Sequence, residues 1–250
     1  MGIKAVTFDL WDTIVHDDSD ESIRAAQGLR SKRDERRFLV WQALNNIKAI
    51  NSEGVNLAYD VADAGFNLVW HENHINWTVE QRLKVVLNGL DRTLPDDEFA
   101  TLVEQTGRME VDISPKPIDG IAEALDDLAR RYKLCIVSDA IVTPGSGLRK
   151  ILGKYDLEKF FAGFVFSDEV GHSKPHRAMF DSACQQLDVK IDEIVHIGDR
   201  DHNDVKGPQA LGAKAVLFVA ARDADRAYTS ADAICEHHRD LSAIIDQLAG

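Results

Sequence analysis

The chain opens on a short apolar and β-branched run, residues 3–8 (IKAVTF), which stops at Asp9. A continuous apolar run of this length suits a strand covered on both faces of a parallel sheet. From about Asp17 to Glu110 the pattern turns helical, with stretches over residues 21–50, 55–73, 78–90 and 95–109 and no strand-like run between them. After Pro115 and Pro117, strand and helix begin to alternate. Ile118, Ala122, Leu125 and Leu128 share one helix face, and residues 133–137 (KLCIV) read as a second buried strand. The alternation continues through a strand at 163–166, a helix at 177–187, a strand at 193–197, a helix around 205–211, strands at 215–219 and 233–235, and a last helix. Such a pattern predicts an α/β fold, a doubly wound parallel sheet, with a helical bundle inserted after the first strand. The expected division is a core of residues 1–15 and 116–250 and a helical domain of residues 16–115.

Composition narrows the function. With 44% apolar and 28% charged residues and six prolines, the chain is an ordinary globular protein, which excludes disordered, collagen-like and disulfide-scaffold classes. A net charge of −13 repels nucleic acid and anionic membranes over most of the surface. A small phosphorylated substrate stays compatible, because a cation can reverse the field inside a cleft. Cys135, Cys184 and Cys235 are widely spaced and form no CxxC pair, so reduced thiols are expected. No apolar run approaches the roughly 18 residues that span a bilayer, and no signal-peptide pattern precedes the first strand, so the expected location is cytoplasmic.

Four polar points interrupt the apolar scaffold just past predicted strands or at helix mouths: Asp9, Ser138, Lys174 and the pair Asp199 and Asp204. The carboxyl ends of parallel strands are where α/β folds place their chemistry. In order and spacing the segments VTFDLWDTI, CIVSDA, GHSKPHRAMF and HIGDRDHNDVKG resemble the four motifs of the haloacid dehalogenase superfamily, a likeness that covers residues 1–15 and 116–250.

The resemblance implies a hydrolase with an HAD-like, Rossmann-type core in which Asp9 attacks a phosphoryl group and becomes an aspartyl phosphate. Nucleophile and phosphate are both anions, so a cation must lie between them. Mg²⁺, which takes hard oxygen ligands and keeps several waters, would be held by Asp9, the backbone carbonyl of Trp11, Asp199 and Asp204, the last through water or by orienting the others. Lys174 would supply a second positive charge and keep Asp9 ionised, while Thr13 and Ser138 would donate hydrogen bonds. The residues between the first and second motifs match the family's mobile cap, which excludes water and selects the substrate.

One position departs from the family. Phosphatases of the superfamily usually carry a second Asp, a general acid and base, where this chain has Trp11. An indole shuttles no proton near neutral pH, so a factor of about 10² to 10⁴ in rate is at stake. Asp12, His172, His176 and His202 are candidate substitutes, although Asp12 in an extended segment would point away. Dehalogenases of the superfamily also lack that Asp, but their fourth motif resembles a metal-free Ser- and Asn-rich loop, unlike the acidic one here. A 2-haloacid dehalogenase, a phosphonate hydrolase using a lysine Schiff base, and a phosphate- or partner-binding protein of weak activity are the alternatives to a phosphatase.

Within the insert, Trp41, Trp70 and Trp77 are expected to pack in the bundle, with substrate stacking as the alternative, and Trp11 could face them from the core. His71 and His74 stand one helical turn apart with no third metal ligand evident, and read as a helix surface near its C-terminus. The mixed run of residues 30–37 (RSKRDERR) reads as a solvated helix face, with phosphate steering as the sharper alternative.

Overall fold

The computed structural model describes residues 2–250. Six strands, β1 (Ala5–Phe8), β2 (Lys133–Ser138), β3 (Gly163–Phe166), β4 (Ile194–Gly198), β5 (Lys214–Phe218) and β6 (Ala233–Cys235), form one sheet in the order β3-β2-β1-β4-β5-β6. Every neighbouring pair is parallel. The predicted doubly wound sheet is therefore present, with β1 at its centre and a reversal of winding between β1 and β4. A crevice opens at such a point because the connections leave in opposite directions. The strands at 193–197 and 215–219 lie one residue away from their predicted bounds.

Between β1 and β2 run α1 (Ser19–Ala26), α2 (Lys32–Ile47), α3 (Ser52–Asn73), α4 (Val79–Gly89), α5 (Asp96–Gly107) and the short α6 (Met109–Asp112). The continuous helix expected over 21–50 is two helices. Gly28 takes the left-handed region at φ 69°, and Ser31 restarts the chain as the N-cap of α2, its hydroxyl accepting from the Asp34 amide at 3.0 Å. Val40, Leu44, Val55, Tyr59, Leu83, Val86 and Leu102 give this helical layer an apolar cluster of its own.

The rest of the chain supplies α7 (Ile121–Ala129), α8 (Gly145–Lys154), α9 (Ser167–Val170), α10 (Arg177–Leu187), α11 (Gly207–Leu211) and α12 (His238–Ala249). Ile121, Leu125, Leu148, Ile151, Leu241 and Ile245 of α7, α8 and α12 pack on one face of the sheet. Met179, Phe180, Ala183 and Leu187 of α10 cover the other. Helix α8 was not evident in the sequence, because its glycines dilute the apolar period that Leu148, Ile151 and Leu152 nevertheless keep. The helix expected at 205–211 begins earlier, as a π-helical turn over Asp201–Lys206 that runs into α11.

Cys135 and Cys235 are buried and Cys184 is half-buried, all three as free thiols. No helix among the described residues is long and apolar enough to cross a membrane.

Leu44 is fully buried in the helical layer's own cluster. Leu44→Ala is therefore expected to cost about 2–5 kcal/mol. Hydrogen exchange should quicken in α2 to α5 well before it quickens in β1, β2 and β4, and equal acceleration throughout would contradict a separate helical core.

Candidate active site

Register delivers the first carboxylate. Phe8 pairs with Ile136 on β2 and Ile197 on β4, and the next amide, that of Asp9, donates to the Ile197 carbonyl at 2.8 Å. Asp9 therefore stands at the carboxyl end of the central strand, beside the loop after β4 that carries Asp199 and Asp204. One oxygen from each of Asp9, Asp199 and Asp204 falls within 4.8 Å of the others, and all three residues are buried. Lys174 reaches in from the loop before α10. Its Nζ donates to Asp9 Oδ1 and to Asp204 Oδ1, both at 2.6 Å, and only 3% of the residue is exposed.

One ammonium among three carboxylates leaves an excess of negative charge in a site with little water, and each carboxyl responds differently. Burial pushes the Asp9 carboxyl above the ordinary range, and Lys174 opposes it. Burial, then repulsion from Asp9 and Asp204, pushes Asp199 up to about 8. For Asp204 burial works in the same sense, but Lys174 and a hydrogen bond from His196 outweigh it and hold the carboxyl below its ordinary value. Burial also disfavours the Lys174 charge, which Asp204, Asp9 and Asp139 more than restore. Asp199 Oδ2 is buried with no hydrogen-bond partner. A buried, unsatisfied carboxylate oxygen is expensive, so its persistence points to a ligand.

The fourth motif folds for this purpose. The wide turn at Asp201–Lys206 carries Asp204 back against the end of β4, where its carboxylate accepts from the Arg200 amide at 3.0 Å. Only glycine fits at 198, because a Cβ there would lie 2.3 Å from Asp204 Cγ. Asp201 turns away, accepting from Lys206 at 2.7 Å while its amide donates to Asp225 at 3.0 Å.

Thr13 and Ser138 are fully buried, and neither hydroxyl has a partner. Ser138 closes β2 beside the strand end that carries Asp9, and neither Ser138 nor Thr13 lines the cleft around Asp9. The Trp11 indole donates to the Asp139 carbonyl at 3.3 Å. Asp12 adopts φ 51° and its carboxylate accepts from the Asp17 amide at 3.0 Å, so it caps the following turn rather than facing Asp9. His172 and His176 stack on each other at 3.8 Å between ring centroids, and neither they nor His202 line the cleft around Asp9.

That cleft has a volume of about 340 Å³. The sheet side contributes Asp9, Trp11, Asp139, Lys174 and Asp204, and the helical layer contributes Lys32, Arg36, Trp70 and Glu110. The expected solvated run at 30–37 is corrected here. Lys32 is buried with its Nζ on Asp18, Asp20 and Glu110 at 2.9, 2.9 and 2.7 Å, and Glu110 in turn accepts from Thr143 of the loop after β2 at 2.5 Å. Arg37, also buried, pairs with Asp60 at 2.5 Å. Arg36 lines the cleft with no carboxylate partner, and burial followed by the nearby Arg82 lowers its pKa. Trp41 packs in the helical core and Trp77 lies against Phe66, as expected, whereas Trp70 and Trp11 line the cleft.

Three site residues were missed in the sequence, Thr7, Asp139 and His196, whereas Arg36 falls in the run 30–37 to which phosphate steering was the alternative reading. His196 bonds Thr7 Oγ1 at 2.8 Å through Nδ1 and Asp204 at 3.2 Å through Nε2. Burial lowers the His196 pKa, and a neutral ring with its proton on Nε2 satisfies both neighbours. The signal was available, since Thr7 and His196 are polar interruptions of apolar strands that pair in register. Asp139 stands beside Ser138, accepts from the Lys174 amide at 2.9 Å, and is pushed by burial to about 7.

Comparison with known proteins agrees with this geometry. The chain is 31% identical over 159 residues to pyrophosphatase PpaX of Bacillus mycoides, covering 62% of this chain and 71% of that protein. It is 36% identical over 81 residues to the glyceraldehyde 3-phosphate phosphatase of Pyrococcus furiosus, a match spanning 31% of this chain and 33% of that one. In fold it is similar to a HAD phosphatase from Thermococcus onnurineus, with a TM-score of 0.64, 22% identity and coverage of 97% and 98% of the two chains. The corresponding values for a 2-haloacid dehalogenase from Pseudomonas syringae pv. Tomato DC3000 are 0.68, 24%, 99% and 100%. The family model described as haloacid dehalogenase-like hydrolase matches residues 3–212, a span that crosses the helical insert and includes all four motifs. The chain belongs to the haloacid dehalogenase-like hydrolases.

Proposed function

We propose that this hydrolase is a magnesium-dependent phosphatase of a small phosphorylated substrate, acting through an aspartyl phosphate on Asp9. The observation that carries the reading is the buried trio Asp9, Asp199 and Asp204 around a single ammonium, with Asp199 Oδ2 unsatisfied. A hard, oxygen-seeking divalent cation fits that donor set. Asp9, Asp199 and the Trp11 carbonyl would hold it, with Asp204, whose oxygens already engage Lys174, His196 and the Arg200 amide, orienting the others. When bound, the ion would neutralise charge on the phosphoryl oxygens and relieve their repulsion from Asp9.

The chain's own groups account for the remainder. Lys174 keeps Asp9 anionic, so that its carboxylate oxygen bonds phosphorus as the bond to the leaving oxygen breaks. The free Thr13 and Ser138 hydroxyls donate to the phosphoryl oxygens. Water then attacks phosphorus in the acyl phosphate, releasing phosphate and regenerating Asp9. Residues 16–115 serve as a cap over a core of residues 1–15 and 116–250, and Arg36 and Trp70 line the cleft from the cap side. The names of the pyrophosphatase and glyceraldehyde 3-phosphate phosphatase relatives support a small phosphorylated substrate. A net charge of −13 argues against nucleic acid, and three free thiols suit a cytoplasmic setting. A dehalogenase is less well supported, because carboxylates at Asp199 and Asp204 repel a haloacid's own carboxylate.

Asp9→Asn should lower turnover of acetyl or p-nitrophenyl phosphate in Mg²⁺ by at least about 10³-fold with unchanged circular dichroism, as expected for loss of a nucleophile. Chelation should silence the wild type, and activity surviving both treatments would refute the mechanism.

Trp11 carries no carboxyl where the family has its acid, so unless Asp139 or Asp17 of the same cleft supplies the proton, aryl and acyl phosphates should react about 10² to 10⁴ times faster than alkyl phosphates. Matching rates for p-nitrophenyl phosphate and a sugar phosphate at neutral pH would contradict this.

Gly198→Ala should push Asp204 out of place, costing about 1–3 kcal/mol of stability. Activity should fall at least about tenfold, the equivalent of 1.4 kcal/mol in the barrier. Unimpaired kcat/KM would show that the contact is dispensable.

A further inference from the structure

A second cavity, of about 300 Å³, adjoins the catalytic cleft and shares Trp70, Lys174, Arg200 and Asn203 with it. Its other walls come from both layers: His71 and His74 at the end of α3, and His202 and Arg222 from the loops beyond β4 and β5. The mix of charges here is opposite to that of the protein as a whole, whose net charge is −13. A single carboxylate, Asp225, lines the cavity, and it is already engaged. It accepts from Arg222 at 2.8 and 3.3 Å, from the Asp201 amide at 3.0 Å and from the Tyr228 hydroxyl. Arg222 in turn donates to the Asp199 carbonyl at 2.9 Å, and its Nε lies 3.9 Å from Asp199 Oδ2.

Arg200 is left over. Its side chain is 50% exposed, and the nearest carboxylate oxygen, Asp199 Oδ2, lies 3.9 Å away, too far for a hydrogen bond. The rings of His74 and His202 meet across the seam at 6.2 Å between centroids, and each carries an N–H donor even when neutral. Trp70 adds a buried indole N–H with no acceptor. Spare donors and a half-exposed guanidinium only loosely paired with Asp199, one lysine away from the nucleophile, offer contacts to an anion that is not the transferred phosphoryl group.

We propose that this cavity binds a second anionic group of the substrate, a phosphoryl or carboxylate on the leaving group; the proposal rests on the phosphatase reading above. The anion would touch His71 and His74 from the insert and Arg200 and His202 from the core together, so the same contact that selects the substrate holds the two layers closed over it. A phosphate monoester with an uncharged leaving group would forgo these contacts.

Binding tests this apart from turnover. With Asp9→Asn protein and Mg²⁺, calorimetry should find methylenediphosphonate or phosphonoacetate bound about tenfold or more tightly than methylphosphonate, a difference of about 1.4 kcal/mol. Tight phosphonoacetate marks a site that accepts carboxylate, and tight diphosphonate alone marks one for phosphoryl groups. His74→Asn, which tolerates the left-handed backbone at that position (φ 53°), and Arg200→Gln should each cut the ratio at least about threefold, in keeping with loss of one charge-assisted or neutral hydrogen bond. Equal affinities for all three probes, or a preference that both substitutions leave intact in proteins of unchanged melting temperature, would overturn the inference. Hydrolysis of p-nitrophenyl phosphate by the wild type reports separately on the phosphatase reading, so a failed second site and a failed phosphatase are told apart.

Discussion

The site depends on one buried cation shared between two carboxylates. Lys174 Nζ holds Asp9 and Asp204 at 2.6 Å each, and these residues arrive from strand ends on opposite sides of the point where the sheet reverses its winding. A charge in this position is stable only while its partners are present, and the partners repel one another without it. The loop before α10, the end of β1 and the turn after β4 are therefore bound into a single electrostatic unit, and the third carboxylate, Asp199, remains under-compensated within it. Its Oδ2, buried without a hydrogen-bond partner, is the feature on which the metal-binding reading stands.

Around this unit the polar groups form layers of decreasing freedom. His196 and Thr7 lie within the sheet itself and fix Asp204 from behind. Gly198 lets the Asp204 carboxylate come within a distance that any side chain would block. Thr13 and Ser138 have hydroxyls to spare, which supports their proposed place on the reacting side. Openness alone does not mark function, since Asp20, Thr106, Ser173 and Asp201 each also keep a buried polar atom without a partner.

Much of the core was legible because buried parallel strands write themselves as apolar runs, and IKAVTF and KLCIV announced both the strands and the carboxylate or hydroxyl at their ends. Asp199 was legible as a charge just past such a strand, and Lys174 and Asp204 by their order and spacing in motif-like segments at helix mouths. Helix α8 escaped because its glycines broke the period, and the break at Gly28 escaped because a lone glycine inside a helix-like stretch is not by itself a firm stop. The run at 30–37 was misread since charge alone does not tell a solvated lysine from one buried among Asp18, Asp20 and Glu110. Arg36 and Arg200 stand out only when the partners of every neighbouring charge are known, which is information about three-dimensional pairing.

The network of Lys32, Asp20, Glu110 and Thr143 has a mechanical meaning beyond its stability. Its ammonium and carboxylates, Lys32, Asp18, Asp20 and Glu110, all belong to the insert, so a movement of that layer would carry the ion cluster with it intact. What crosses to the core are hydrogen bonds: Thr143 on Glu110, the Ser173 amide on the His74 carbonyl, Asn76 on the Ala140 carbonyl and the Arg82 guanidinium on the Ile141 carbonyl. Water can replace such bonds at modest net cost, so the helical layer would part from the core along this seam as one stiffened piece.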